Sequence, residues 1–302
     1  MFLNALKKSF SSYPKIIFFL IIGCFLYTIF LNPLASANSL KLPIASGKEV
    51  FKNDGASFDT SNKSEGYIMA KYTGSAKTTI KLIIHKTGGT RYTYNIFKSN
   101  AYEVFPLTEG SGTYTLTIYE GIGGKKYAAV HSTTLTVELK DDLSPFLYPN
   151  QYVWFDENAS IVNLTKDLLG KESDDFKKLK LIYAYVIDEL AYDYDKISSL
   201  KSGYVCDIED TLKSKKGICL DYSAVMAAML RSQSIPTRLV VGYAETEYHA
   251  WISIYTQKSG WIENIIYFDG QSWTMMDPTK ASSLKQPDFK VDPKKYSTKY
   301  AY

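Results

Sequence analysis

The apolar period of this chain breaks at Asp141-Asp142-Leu143-Ser144-Pro145, where short alternating runs give way to helical spacing, and that change limits it to folds that join a β layer to a helical one. Before the break, residues 45 to 140 are rich in Thr, Tyr, Gly and β-branched side chains set in short alternating runs. These runs are Gly66 to Tyr72, Thr78 to His85, Arg91 to Phe97, Gly112 to Tyr119 and Thr133 to Leu139. Gly88-Gly89 and Gly121-Ile122-Gly123-Gly124 fall between them, where hairpin turns demand glycine. In Tyr114-Thr115-Leu116-Thr117-Ile118 the pleat predicts Tyr114, Leu116 and Ile118 inside and the threonines in solvent.

About seven such strands in roughly a hundred residues predict an immunoglobulin-like β-sandwich over residues 40–142, with no catalytic cluster in it. Beyond the break the period becomes helical. Phe176, Leu179, Ile182, Tyr183, Val186 and Leu190 mark one face of a helix from about Asp174 to Leu190, with Ser173 as N-cap and two aspartates in its first turn. Lys177, Lys178, Asp188 and Glu189 are its expected solvated face. A second helix opens at Cys219, where Tyr222, Val225, Met226, Met229 and Leu230 recur at one-face spacing.

The chemistry-bearing residues lie in this second half. Cys219 follows Lys215-Lys216-Gly217-Ile218, so its thiol is expected at a helix N-terminus, where the dipole, open N–H groups and two lysines favour thiolate. His249 lies 30 positions later in an alternating run, Tyr248 to Tyr255, and Asp277 lies 28 beyond that in a run closed by Pro278. A cysteine nucleophile needs an imidazole to hold its proton and a carboxylate to orient the ring, and these three residues supply them in that order. Of the three histidines, His85 and His131 belong to the β region, which leaves His249 for Cys219. A zinc site fails on spacing: Cys206 and Cys219 are 13 apart and no Cys-x-x-Cys exists. A Cys206–Cys219 disulfide, permanent or a reversible redox lock, is the competing use of the thiol.

At Gly217-Ile218-Cys219-Leu220-Asp221-Tyr222-Ser223, Ile235 to Tyr243, His249-Ala250-Trp251 and Trp273 to Thr279, the sequence resembles the transglutaminase-like superfamily of papain-like cysteine enzymes. The resemblance covers roughly residues 150 to 285. It implies an α+β fold over 146–302, with the cysteine helix packed on an antiparallel sheet that carries His249 and Asp277. It also implies a Cys219-His249-Asp277 site that passes an acyl group from an amide to an amine or to water. A polar side chain near the oxyanion is common in the family, and Tyr192 or Tyr194 would stand in that neighbourhood; the alternative is that both are turn tyrosines. No bound cofactor or metal is implied, and no EF-hand loop is present.

Lys7, Lys8 and Lys15 precede the uncharged run Ile16 to Phe30, and Ala35-Ser36-Ala37 follows, the pattern of a signal peptide over 1–37 or of an uncleaved anchor. Cleavage after Ala37 removes three lysines and no acids, taking the formal charge from +4 to +1, a balance that predicts no nucleic-acid partner. The expected location is secreted or cell-surface, with membrane contact only through that segment. Surface proteins or cell-wall peptides are the accessible amides. The reading is thus a thiol acyltransferase or amidohydrolase. The alternatives are a peptidase or amidase of wall peptides, a catalytically silent surface-binding protein, and an adhesin whose thiol bonds a host amine.

Overall fold

Among the described residues of the first half of the chain, period-two alternation builds eight strands: β1 (Val50–Lys52), β2 (Ala56–Asp59), β3 (Tyr67–Tyr72), β4 (Ile80–Lys86), β5 (Arg91–Ile96), β6 (Glu103–Pro106), β7 (Gly112–Gly123) and β8 (Lys126–Val137). They form two antiparallel four-stranded sheets, ordered β1-β2-β3-β6 and β5-β4-β7-β8. Phe58, Ile68 and Ala70 of the first and Leu82, Leu116 and Ile118 of the second are buried in one shared core. Tyr114, Leu116 and Ile118 face inward as the pleat requires. Thr117, expected in solvent, is buried, because β8 covers it and its hydroxyl meets Ser132 Oγ at 2.8 Å. The glycine run 121–124 is mostly strand rather than turn. Register shifts at Ile118/Tyr119 and Gly121/Gly123 let β7 twist on to Gly123 before the chain reverses.

The computed structural model describes residues 40–75, 77–263, 266–268, 273–275 and 292–302. The expected signal or anchor segment, 1–37, lies outside the described residues, as does Asp277.

Among the described residues, five α-helices follow the β region: α1 (Ser160–Leu169), α2 (Asp175–Glu189), α3 (Tyr194–Ser199), α4 (Ile208–Ser214) and α5 (Cys219–Ser232). The cap of α2 is Asp174, whose carboxylate accepts from Lys177 N at 3.0 Å, and not Ser173 one residue earlier. Lys178, expected on the solvated face, is only 6% exposed; its ammonium reaches back to Asp175 at 3.8 Å while its stem packs inward. The largest departure is α5. One apolar face was expected, yet Tyr222, Ala224, Val225, Met226, Ala227, Ala228, Met229 and Leu230 are all fully buried. α1 and α2 cover one side of it and the sheet covers the other, and three alanines let those neighbours approach. Each large apolar side chain so buried contributes about 2 kcal/mol.

That sheet is antiparallel, ordered β13-β12-β11-β16, from β11 (Thr237–Ala244), β12 (Glu247–Thr256), β13 (Gly260–Ile262) and the C-terminal β16 (Tyr296–Ala301). β9 (Ala191–Tyr192) and β10 (Lys216–Gly217) pair in parallel, and β14 (Ile266–Phe268) pairs antiparallel with β15 (Trp273–Met275) as a separate two-stranded sheet.

Leu40–Tyr302 form one compact unit, and aromatic packing shows how. Tyr302, just past β16, stacks on Tyr152 at 4.0 Å and meets Tyr92 and Tyr94 of β5 edge-on at 5.6 and 5.9 Å. Arg231 ties the same junction. Fully buried, its guanidinium donates to the carbonyls of Thr237, Tyr148 and Tyr302 at 2.7 to 3.0 Å. Burial pulls its pKa down to about 9, whereas these carbonyl acceptors favour the charged form.

Candidate active site

Cys219 is the first residue of α5 and is half-buried. The residue before it, Ile218, is extended and offers no side-chain acceptor, so the first-turn N–H groups are not capped by it. The approach to the helix is fixed by the parallel ladder: Gly217 pairs with Tyr192, and Asp193 N–H donates to the Gly217 carbonyl at 2.9 Å. One contributor expected to favour thiolate is spent elsewhere. Lys215 caps α4 in left-handed backbone (φ 53°) and its ammonium sits 2.5 Å from Glu189.

His249 lies on β12, 7% exposed, with its ring stacked toward Trp251 at 6.4 Å and edge-on to Tyr296 at 6.3 Å. Residues 249 and 251 share a strand face, so the fully buried indole next along that face limits the imidazole's freedom. Directly across from His249 on β11 is Gly242; a Cβ there would strike the Ser297 carbonyl oxygen and Trp251 Cη2. Glycine at that position is what lets β16 pack closely against β11, from where the Tyr296 ring reaches His249 and Trp251.

Cys219 and His249 line one cavity of about 680 Å³. Tyr152, Tyr192, Tyr194, Tyr204, Tyr248 and Tyr302 supply much of its wall, with Glu247 and Lys201 as charged groups. The placement of Tyr192 and Tyr194 in this wall goes beyond turn geometry; their rings meet edge-on at 4.9 Å. Partial burial pushes the Tyr248 phenol up to about 12. Asp277 lies outside the described residues, and the strand that leads to it, β15, pairs with β14 and not with the sheet that carries His249.

Cys206 is no partner of Cys219: both thiols are free. Cys206 is buried, its Sγ 3.5 Å from Thr211 Oγ1, and burial first, then the nearby Asp221 charge, push the thiol well up. A protonated buried thiol is a poor nucleophile. Among the described residues no group of three His, Cys, Asp or Glu side chains is placed to hold a metal.

Sequence reasoning gave no role to Asp221, Lys196 and Tyr204, which form a network beneath Cys219, or to Tyr152 and Tyr302. Asp221 was within sight, two residues after the cysteine and at the helix position where a carboxylate turns back to cap. Its partners carry no sequence signal, and Tyr302 reaches the cavity only because β16 pairs with β11.

Residues 162–278 match the model of the transglutaminase-like superfamily. Among curated proteins, YebA of Bacillus subtilis is 29% identical over 155 residues, covering 48% of this chain and 21% of that protein. MJ1282 of Methanocaldococcus jannaschii is 32% identical over 110 residues, covering 32% of this chain and 31% of that protein. The chain thus spans about a fifth and about a third of the length of these relatives. Red sea bream transglutaminase is a distant structural likeness, at TM-score 0.31 and 14% identity over 75% of this chain and 50% of that one.

Proposed function

Residues 162–278 belong to the transglutaminase-like superfamily, and on that premise we propose that this chain is a thiol enzyme that draws acyl groups from peptide amides through Cys219. The observation that carries this reading is that Cys219, at an open helix N-terminus, and His249, on a buried strand, line one cavity large enough for a peptide side chain or short segment. Asp277 is assigned the orienting carboxylate by its place in the family motif.

In this mechanism the Cys219 thiol gives its proton to His249 and the thiolate attacks the amide carbon. The oxyanion that forms is met by N–H groups of the α5 first turn, with Tyr192 as a candidate donor. The C–N bond then breaks, the leaving amine or ammonia takes the proton from the His249 imidazolium, and a thioester remains. A second nucleophile, amine or water, gives its proton to His249 as it attacks the thioester, and Cys219 leaves as the thiol. Transfer and hydrolysis share every residue and differ only in the acceptor.

The two sheets ahead of this region are read as an immunoglobulin-like sandwich, and segment 1–37 as the export signal or anchor, so the substrates are surface proteins or wall peptides. Incubating the processed chain with an amide-bearing peptide library, with and without a primary amine, tests the reading. Ammonia or peptide release that needs Cys219 supports it, and amine incorporation separates transfer from hydrolysis. A chain that binds surfaces but neither releases nor transfers anything would be the silent binding protein.

A further inference from the structure

Asp221 is fully buried two residues from the thiol, yet it takes no part in the acyl chemistry. Its Oδ2 accepts from the Lys196 ammonium at 2.7 Å and from the Ile218 N–H at 2.9 Å, and its Oδ1 accepts from the Tyr204 hydroxyl at 2.6 Å. A buried carboxylate is tolerated only when so satisfied. Burial, and then the bond to Asp221, push the Tyr204 phenol up, which keeps it a donor. Lys196 also lies over the Tyr204 ring at 4.8 Å. On the other side the backbone of Gly217 presses in: a Cβ there would be 2.7 Å from Asp221 Cβ.

The three donors come from different places. Ile218 is the residue before Cys219. Lys196 belongs to α3, and Tyr204 ends the segment after it. Tyr194, Ile197, Leu200, Lys201, Gly203 and Tyr204 of this same stretch form one wall of the Cys219 cavity. Tyr194, Ile197 and Leu200 are otherwise 68%, 48% and 41% exposed, so little apolar packing holds the wall in place.

Resting on the assignment of Cys219 as nucleophile, we propose that Asp221 is the positioning residue of this site, a carboxylate clamp that fixes the substrate-binding wall, residues 194–204, against the first turn of α5. The wall and the thiol are then held as one unit, and substrate meets a preformed cleft. Cutting the clamp from the wall side leaves Cys219 intact and loosens what binds the substrate.

Lys196→Met cuts the clamp on its more accessible side. It is expected to speed amide hydrogen exchange across residues 194–204 about tenfold or more and to raise KM for the best library peptide about tenfold, the scale of one charge-assisted hydrogen bond. It should leave kcat and the iodoacetamide alkylation rate of Cys219 within about twofold. Lys196→Arg should restore KM, and Asp221→Asn should loosen the same segment; if that variant does not fold, Lys196→Met carries the test. Unchanged exchange at 194–204 in Lys196→Met, or an arginine variant no better than methionine, would overturn the clamp. A wild-type chain without turnover would instead count against Cys219 as a catalyst, and the exchange measurement would still decide on Asp221.

Discussion

Two thiols with opposite surroundings make the sharpest contrast at the scale of single residues. Cys219 is half-buried at a helix start and opens on the cavity, whereas Cys206 is buried beside Asp221 and its thiol is pushed up. Cys219→Ala should therefore abolish turnover and neutral-pH thiol labelling while costing less than about 1 kcal/mol of stability, as expected for a truncation at a half-exposed site. Cys206→Ala should keep both activities; the reverse pattern would move the site. His249→Ala should slow turnover about a thousandfold, the scale of general acid–base loss, and shift the alkylation-versus-pH curve of Cys219 upward. Identical curves in the two proteins would contradict the pairing. Cys219 and His249 were legible in the sequence because each sits in a local pattern, a helix start and an alternating strand. Asp221 was not, since its partners Lys196 and Tyr204 lie 25 and 17 residues away and nothing local announces them.

Elements were legible where period and burial agree. Alternation located β3, β4, β5, β7 and β8, and helical spacing located α2 and α5. It misjudged α5 because a one-face pattern counts only large apolar residues, whereas Ala224, Ala227 and Ala228 are buried by close neighbours on the other faces. It misplaced the turn after β7 because bulges consume glycines without ending a strand. The β11–β12–β16 arrangement makes a prediction of its own. Gly242 faces His249 across the ladder and leaves no room for a Cβ beneath the Ser297 carbonyl. Gly242→Ala should cost about 1 to 3 kcal/mol in urea unfolding, the range for overpacking, and should lower kcat by displacing β16 from β11 and with it the Tyr296 ring from His249. A variant with wild-type stability and rate would show that β16 yields freely there.

At the scale of the whole molecule, the sheets of the first half and the helices of the second meet through tyrosines. Tyr302 lies among Tyr92, Tyr94 and Tyr152, and Arg231 bonds carbonyls from residues 148, 237 and 302. No local pattern reveals this, because it depends on β16 returning to β11 from the end of the chain. Its consequence is alkaline sensitivity. Burial raises the phenols of Tyr94, Tyr114, Tyr148, Tyr204 and Tyr302 in the folded chain above their unfolded value of about 10. Above that pH the unfolded chain loses protons the folded chain retains, so stability falls as pH rises, by up to about 1.4 kcal/mol per pH unit for each such group. Arg231 and Arg238, with their pKa lowered by burial, act in the opposite sense, but they are two groups against five. Urea midpoints should drop steadily from about pH 10 to pH 12; a flat profile would mean these hydroxyls are not held in the folded core.

The most direct test of the account is mass spectrometry of the processed chain quenched during turnover of an amide peptide. We predict a hydroxylamine-sensitive acyl adduct on the tryptic fragment Gly217 to Arg231, which contains Cys219 as its sole cysteine, present in wild type and absent in Cys219→Ala. Amide cleavage that proceeds in Cys219→Ala, or an adduct found only on Cys206, would contradict it.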